Sequence, residues 1–187
     1  MTSRTNTAAA AVISRRSVLA GASALGVSIG SLRANAQASA PLAAKIPIVN
    51  PTTEFVYEAV VDIDMGIDLG VGPLGQRAIV PITGGTFEGP NIRGTVLAGG
   101  ADRQLVRADG FRLLDALYEL KTDDGAIITV RNQVMISPEA GQKRFSTLQI
   151  TAPEERYGWL NRAVHVGTLE SLSPDRQAVL IRVFKLT

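Results

Sequence analysis

The sequence predicts an all-β protein, an antiparallel closed β-barrel of about nine to ten strands, lipocalin- or calycin-like in general shape. Three observations carry this. Runs rich in β-branched and aromatic residues recur at a spacing of roughly ten residues. Asp109-Gly110 and Asp124-Gly125 each stand between apolar runs, a strong hairpin signal. The stretch Thr83 to Gly100 holds six glycines and a proline among strand-type residues such as Thr86, Phe87, Thr95 and Val96. Glycine inside strand sequence marks a bulge, a bend or a close approach, as a small barrel needs at its corners. Closure is preferred over an open sheet because it removes exposed edges.

The elements follow in order. Residues 1–36 read as a twin-arginine export signal that is cleaved. Arg15 and Arg16 precede a mildly apolar run, and Ala34-Asn35-Ala36 is a small-residue cleavage site. This implies the twin-arginine export machinery as a partner and a periplasmic location. Residues 37–53, with Pro41, Pro47 and Pro51, read as a tether, and residues 54–187 as one barrel domain. Glu54–Asp64 reads as a strand, and the glycine-rich segment Met65–Gly75 as a loop. Gln76–Ile82 is a second strand, and the glycine-rich stretch supplies a third and a bent fourth. Further strands are expected at Asp102–Ala108, Phe111–Thr122, Ala126–Met135 and Lys143–Thr151. Pro153–Gly158 forms a short helical turn. Trp159–Thr168 and Gln177–Leu186 are the last strands.

Charge and composition exclude several functions. Removing the four arginines of residues 1–36 from the 19 basic residues leaves 15 against 17 acidic ones, a net charge of −2. A slightly acidic domain without a basic run gives no support to nucleic-acid binding. One histidine and no cysteine rule out the usual nitrogen- and sulfur-ligated metal sites. Asp62, Asp64 and Asp68 lack the remaining ligands of a calcium loop. No nucleophile elbow, phosphate loop or dinucleotide fingerprint is present. No metal and no cofactor are expected.

Pro81-Ile82-Thr83-Gly84-Gly85-Thr86-Phe87-Glu88-Gly89-Pro90, Gly94-Thr95-Val96, Gly99-Gly100-Ala101-Asp102, Asp109-Gly110, Asp123-Asp124-Gly125 and Trp159-Leu160-Asn161 occur in that order. Together they resemble the signature of domain-of-unknown-function family 3237, from about Phe55 to Phe184. The resemblance implies a small antiparallel barrel, often a homo-oligomer, without an established general activity. This chain departs from the family pattern at Arg103, Leu117 and His165.

What remains for chemistry is carboxylates with hydroxyl, amide and guanidinium partners. Glu88, between Phe87 and Gly89, and Asp102, after Gly99-Gly100, are the candidate acid and base, with Tyr118 as a helper. A carboxyl withdrawn from water has a raised pKa and can move protons near neutral pH. Arg131, on the polar-leaning face of its strand, and the set Trp159, Asn161 and His165 are candidate substrate-binding residues. These groups suit a cofactor-independent lyase, isomerase or hydratase acting on a small, partly apolar or aromatic molecule. A non-catalytic periplasmic carrier using the same lumen, and a structural oligomer without ligand, are the alternatives.

Overall fold

The structure, a computed structural model, describes residues 46–187. The expected export signal and the first part of the tether lie outside the described residues. Ten strands form one antiparallel sheet: β1 Thr53–Ile63, β2 Ile67–Gly72, β3 Gly75–Gly89, β4 Ile92–Val96, β5 Ala101–Val106, β6 Arg112–Thr122, β7 Ile127–Ile136, β8 Phe145–Thr151, β9 His165–Ser171 and β10 Ala178–Leu186. The path runs β1-β10-β9-β8-β7-β6-β4-β3, and β1 pairs again with β3, which closes the barrel.

β4 and β5 occupy a single place in that ring. Both pair with β3 on one side and β6 on the other, interrupted only at Leu97–Gly100. The break is held by Gly99 N–H donating to Ile82 O at 3.1 Å and by Ile82 N–H donating to Gly100 O at 2.9 Å. The barrel proper therefore has eight strand positions. β2 lies outside it and pairs with the first half of β3.

The glycines of the opening stretch are placed by close packing. A Cβ on Gly85, at φ +136°, would stand 2.1 Å from Val60 O. A Cβ on Gly100 would stand 2.6 Å from the Tyr118 Cβ. Only glycine lets the neighbouring strands approach this far at the bends.

Inner faces alternate with outer ones along every strand. Tyr57, Ala59 and Val61 of β1, Tyr118 and Leu120 of β6, Ile128, Val130 and Val134 of β7, and Ile181 and Val183 of β10 are all buried in one core. Fully burying a side chain such as Leu120 or Ile128 contributes about 1.5–3 kcal/mol. One end of the barrel is covered by the segment between β8 and β9. It forms a short helix α1, Glu154–Tyr157, followed by a 3-10 turn, Gly158–Arg162, and buries Tyr157 and Leu160.

Three expectations are corrected. The segment 65–75 is not a loop: Ile67–Gly72 is a strand, because β3 offers it a pairing edge despite the glycines. The second and third expected strands are one 15-residue strand, β3. Trp159–Thr168 is not continuous strand: the 3-10 turn takes its first part and β9 begins at His165.

Candidate functional site

The lumen holds a cavity of about 80 Å³. Its walls are mostly apolar, including Val61, Ile82, Leu114, Leu169 and Ile181, and its polar groups are Asp102, Gln104, Tyr118 and Asn132. The register shows why these meet. Asp102 pairs with Ala116 and Ala116 with Asn132, so the two polar residues flank a small one in a single cross-strand row. Tyr118 follows Ala116 on the same face of β6, and Gln104 follows Asp102 on the same face of β5.

Asp102 is the only acidic or basic side chain among the residues lining this cavity. Its carboxylate accepts hydrogen bonds from Gln104 Nε2 at 2.7 Å and from the Asp115 backbone N–H at 2.9 Å. Burial raises its pKa above the ordinary aspartate value, against the smaller opposing effect of those two hydrogen bonds. Tyr118 is fully buried, and burial likewise drives its phenol pKa upward. Tyr57 behaves the same way, from burial first and from its proximity to Tyr118 second. Both phenols are neutral at any physiological pH.

The other expected site residues lie elsewhere. Glu88 is exposed on the outer face, where its strand neighbours are Glu58 of β1 and Arg93 of β4. The expectation that it is buried is corrected, and it does not share a face with Asp102. Arg131 is exposed on the outer face and forms a bidentate pair with Asp115, at 2.8 and 2.6 Å. Asn161 uses its amide structurally: it accepts from Ala152 N–H at 2.7 Å and donates to Ala152 O at 2.8 Å and to Glu154 Oε1 at 2.9 Å. Trp159 is half-buried at the covered end, with the Lys185 ammonium 5.9 Å from its ring centre. Trp159, Asn161 and His165 therefore do not form one strand face. His165 is buried on the inner face of β9, and burial, then the charge of Lys185, lowers its pKa.

Sequence reasoning passed over Asn132 and Gln104. Asn132 carried a readable signal: a lone amide alternating with Ile128, Val130 and Val134 on the apolar face of β7. A larger, open groove of about 1410 Å³ lies outside the barrel, between the β2–β3 hairpin (Leu69, Leu74) and the outer faces of β6 to β8 (Leu113, Met135, Phe145). It contains no buried acid.

The fold and lumen define a class, the small closed antiparallel barrel with a single carboxyl set beside a few neutral polar groups in a mostly apolar cavity. The chain belongs to the family described as protein of unknown function DUF3237, whose model matches residues 51–186. It is 40% identical over 80 residues to a UPF0311 protein of Clostridium acetobutylicum, covering 42% of this chain and 51% of that protein. It is 34% identical over 97 residues to the hydroalkoxylation enzyme phnH of Penicillium herquei, covering 52% of this chain and 60% of that protein. The chain thus spans about half the length of the relatives it matches in sequence.

Solved structures extend the likeness over more of the chain. A beta-barrel-like protein of Acinetobacter baumannii superposes with a TM-score of 0.68 at 30% identity, covering 75% of this chain and 99% of that one. An enzyme from Penicillium herquei superposes with a TM-score of 0.62 at 26% identity, covering 76% of this chain and 98% of that one.

Proposed function

We propose that this protein is a cofactor-independent enzyme of the lyase type that adds an O–H group across a carbon–carbon double bond, with Asp102 as the proton-transferring residue. The observation that carries the reading is the placement of Asp102. It is a half-buried carboxyl with a raised pKa, set in a mostly apolar cavity beside three further hydrogen-bonding side chains, Gln104, Tyr118 and Asn132. A carrier barrel needs no such carboxyl, and an acid/base enzyme does. The relative named a hydroalkoxylation enzyme supports the same chemistry, since hydroalkoxylation is the addition of an alcohol to an alkene.

The step balances on a single carboxyl group. Protonated Asp102 donates its proton to one alkene carbon. The substrate oxygen forms a new C–O bond to the other carbon, and its proton passes to the Asp102 carboxylate. The acid is regenerated and nothing is oxidised or reduced. Gln104 and the Asp115 N–H hold the carboxyl in place, while Tyr118 and Asn132 supply neutral hydrogen-bonding groups beside it. Burial keeps Asp102 protonated to higher pH than a solvated aspartate, the direction a general acid needs.

The twin-arginine segment at Arg15 and Arg16 supports a periplasmic place of action within this proposal. The test is turnover of a panel of small alkenyl alcohols and phenols by the chain and by Asp102→Asn. Wild-type turnover with a loss of roughly a hundredfold or more in the variant is expected, the range typical of removing a general acid. An Asp102→Asn protein that is folded and turns over at the wild-type rate would sink the assignment.

A further inference from the structure

Beyond Asp102, the inner face of the barrel carries three buried side-chain atoms that have no hydrogen-bond partner among the described residues, Asn132 Oδ1, Ser146 Oγ and His165 Nε2, and two buried phenols, Tyr57 and Tyr118, that interact only with one another. They come from β1, β6, β7, β8 and β9, yet the register gathers them. Asn132 pairs with Leu148 and Leu148 with His165, continuing the row that begins at Asp102. Ser146 lies in the adjoining row, which runs from Val134 through Ser146 and Gly167 to Val183 and Tyr57. Gly167 contributes no side chain there: a Cβ on it would meet Ser146 Oγ at 2.7 Å.

An unpaired polar atom taken out of water costs about 1–3 kcal/mol, so natural cores avoid it. The concentration of these groups on the inner faces of one barrel, with Asn132 and Tyr118 at the wall of its cavity, is a departure from that rule. A core that only had to be stable would place aliphatic side chains at these positions, as it does at the neighbouring Val130, Val134 and Ile150. The departure points to a ligand that completes these bonds.

The chemistry of the five atoms defines that ligand. Two are phenols held neutral by burial, one is an amide oxygen, one a hydroxyl and one an imidazole whose neutral form is favoured. None offers a full charge, so a carboxylate or phosphate would lose its hydration without an ion to replace it, and an ammonium could turn only to Asp102, whose burial favours the uncharged form. A neutral hydroxyl both donates and accepts, which matches an amide oxygen beside phenols. The cavity limits size. At roughly 30 Å³ per water-sized group, its volume of about 80 Å³ holds about three such groups. The end that enters the barrel is therefore short.

We propose that the lumen beside Asp102 is a binding site for the neutral hydroxyl end of a small unsaturated alcohol, read by Asn132 and Tyr118 at the cavity wall. The inference names a substrate class for the site proposed above and rests on that reading for its location. It does not require that Asp102 be the acid. Binding is read without any catalytic step, so loss of turnover in Asp102→Asn and loss of alcohol selectivity are separate results.

The test uses the full chain, labelled with nitrogen-15 and carbon-13, titrated with allyl alcohol, propionate and allylamine at pH 7. Saturable shifts of the Asn132 side-chain amide by allyl alcohol, at least tenfold stronger than by the two charged probes, are expected. Asn132→Leu and Tyr118→Phe should each weaken alcohol binding by about threefold to tenfold, the effect of one lost hydrogen bond. Followed by lumen methyl shifts, both variants remain readable, and either one suffices if the other fails to fold. Equal response to all three probes, or wild-type alcohol affinity in the folded variants, would overturn the proposal.

Discussion

Replacing Asn132 by leucine should make the protein more stable while impairing its function. Asn132 is 2% exposed, and its amide oxygen has no partner among the described residues. Removing an unsatisfied buried polar group recovers about 1–3 kcal/mol. Leucine has the same number of side-chain heavy atoms, with two methyls in place of the amide oxygen and nitrogen, and this position borders the 80 Å³ cavity, so its slightly greater bulk has room and overpacking is avoided. In a domain of this size each kcal/mol moves Tm by about 4 °C, which gives a rise of roughly 4–12 °C. Thermal and urea unfolding followed by the fluorescence of the single tryptophan, Trp159, reads this directly. A fall of several degrees would refute the reasoning, because it would mean that the amide is already satisfied inside the barrel and that its burial is structural.

Three further outcomes follow from the same geometry. Glu88→Gln and Arg131→Ala should leave turnover within about twofold of wild type. Both side chains are on the outer face, and breaking the exposed Arg131–Asp115 pair should cost no more than about 1 kcal/mol in a denaturant titration. Gly85→Ala should destabilise by about 2–5 kcal/mol in the same assay, since its Cβ would stand 2.1 Å from Val60 O at a φ that side chains avoid. The stability of wild type relative to Asp102→Asn should fall as pH rises from the ordinary aspartate value of 3.8 through the raised value of the folded state. A carboxyl whose folded pKa is raised binds its proton more tightly when folded, so ionisation opposes folding in that window. Asp115, lowered first by its hydrogen bond from Arg131, acts in the opposite sense: its contribution is present above 3.8 and is lost as pH falls.

The barrel was legible because its evidence is local. Asp124-Gly125 forces a turn, and the alternation of Leu114, Ala116, Tyr118 and Leu120 fixes one face of β6 by sequence alone. Asp102 was singled out by its place after Gly99-Gly100 and Tyr118 as a helper to the carboxylates; both side chains border the lumen cavity. Glu88 was misread from its immediate neighbours. Phe87 and Gly89 flank it in sequence, but in a strand they point the other way; Thr86 and Pro90 share its side, and both are exposed. Arg131 was misread because a polar face was expected to line the pocket, whereas that face of β7 lies on the outside of the barrel, where Arg131 and Gln133 are exposed. The grouping of Trp159 with His165 assumed unbroken strand period, which the 3-10 turn interrupts. The shared rows that bring Asn132 near Asp102 and His165 depend on pairing register across five strands. Register is set by tertiary pairing and by the bulges of β1, which leave little local trace.

The central claim is that the lumen sets Asp102 apart as a proton-transferring carboxyl. Carbon-13 NMR of the aspartate side-chain carboxyls across a pH titration of the ligand-free protein tests it most directly. The account predicts that Asp102 titrates above the ordinary aspartate value and Asp115 below it. An Asp102 carboxyl that titrates at or below Asp115 would contradict it.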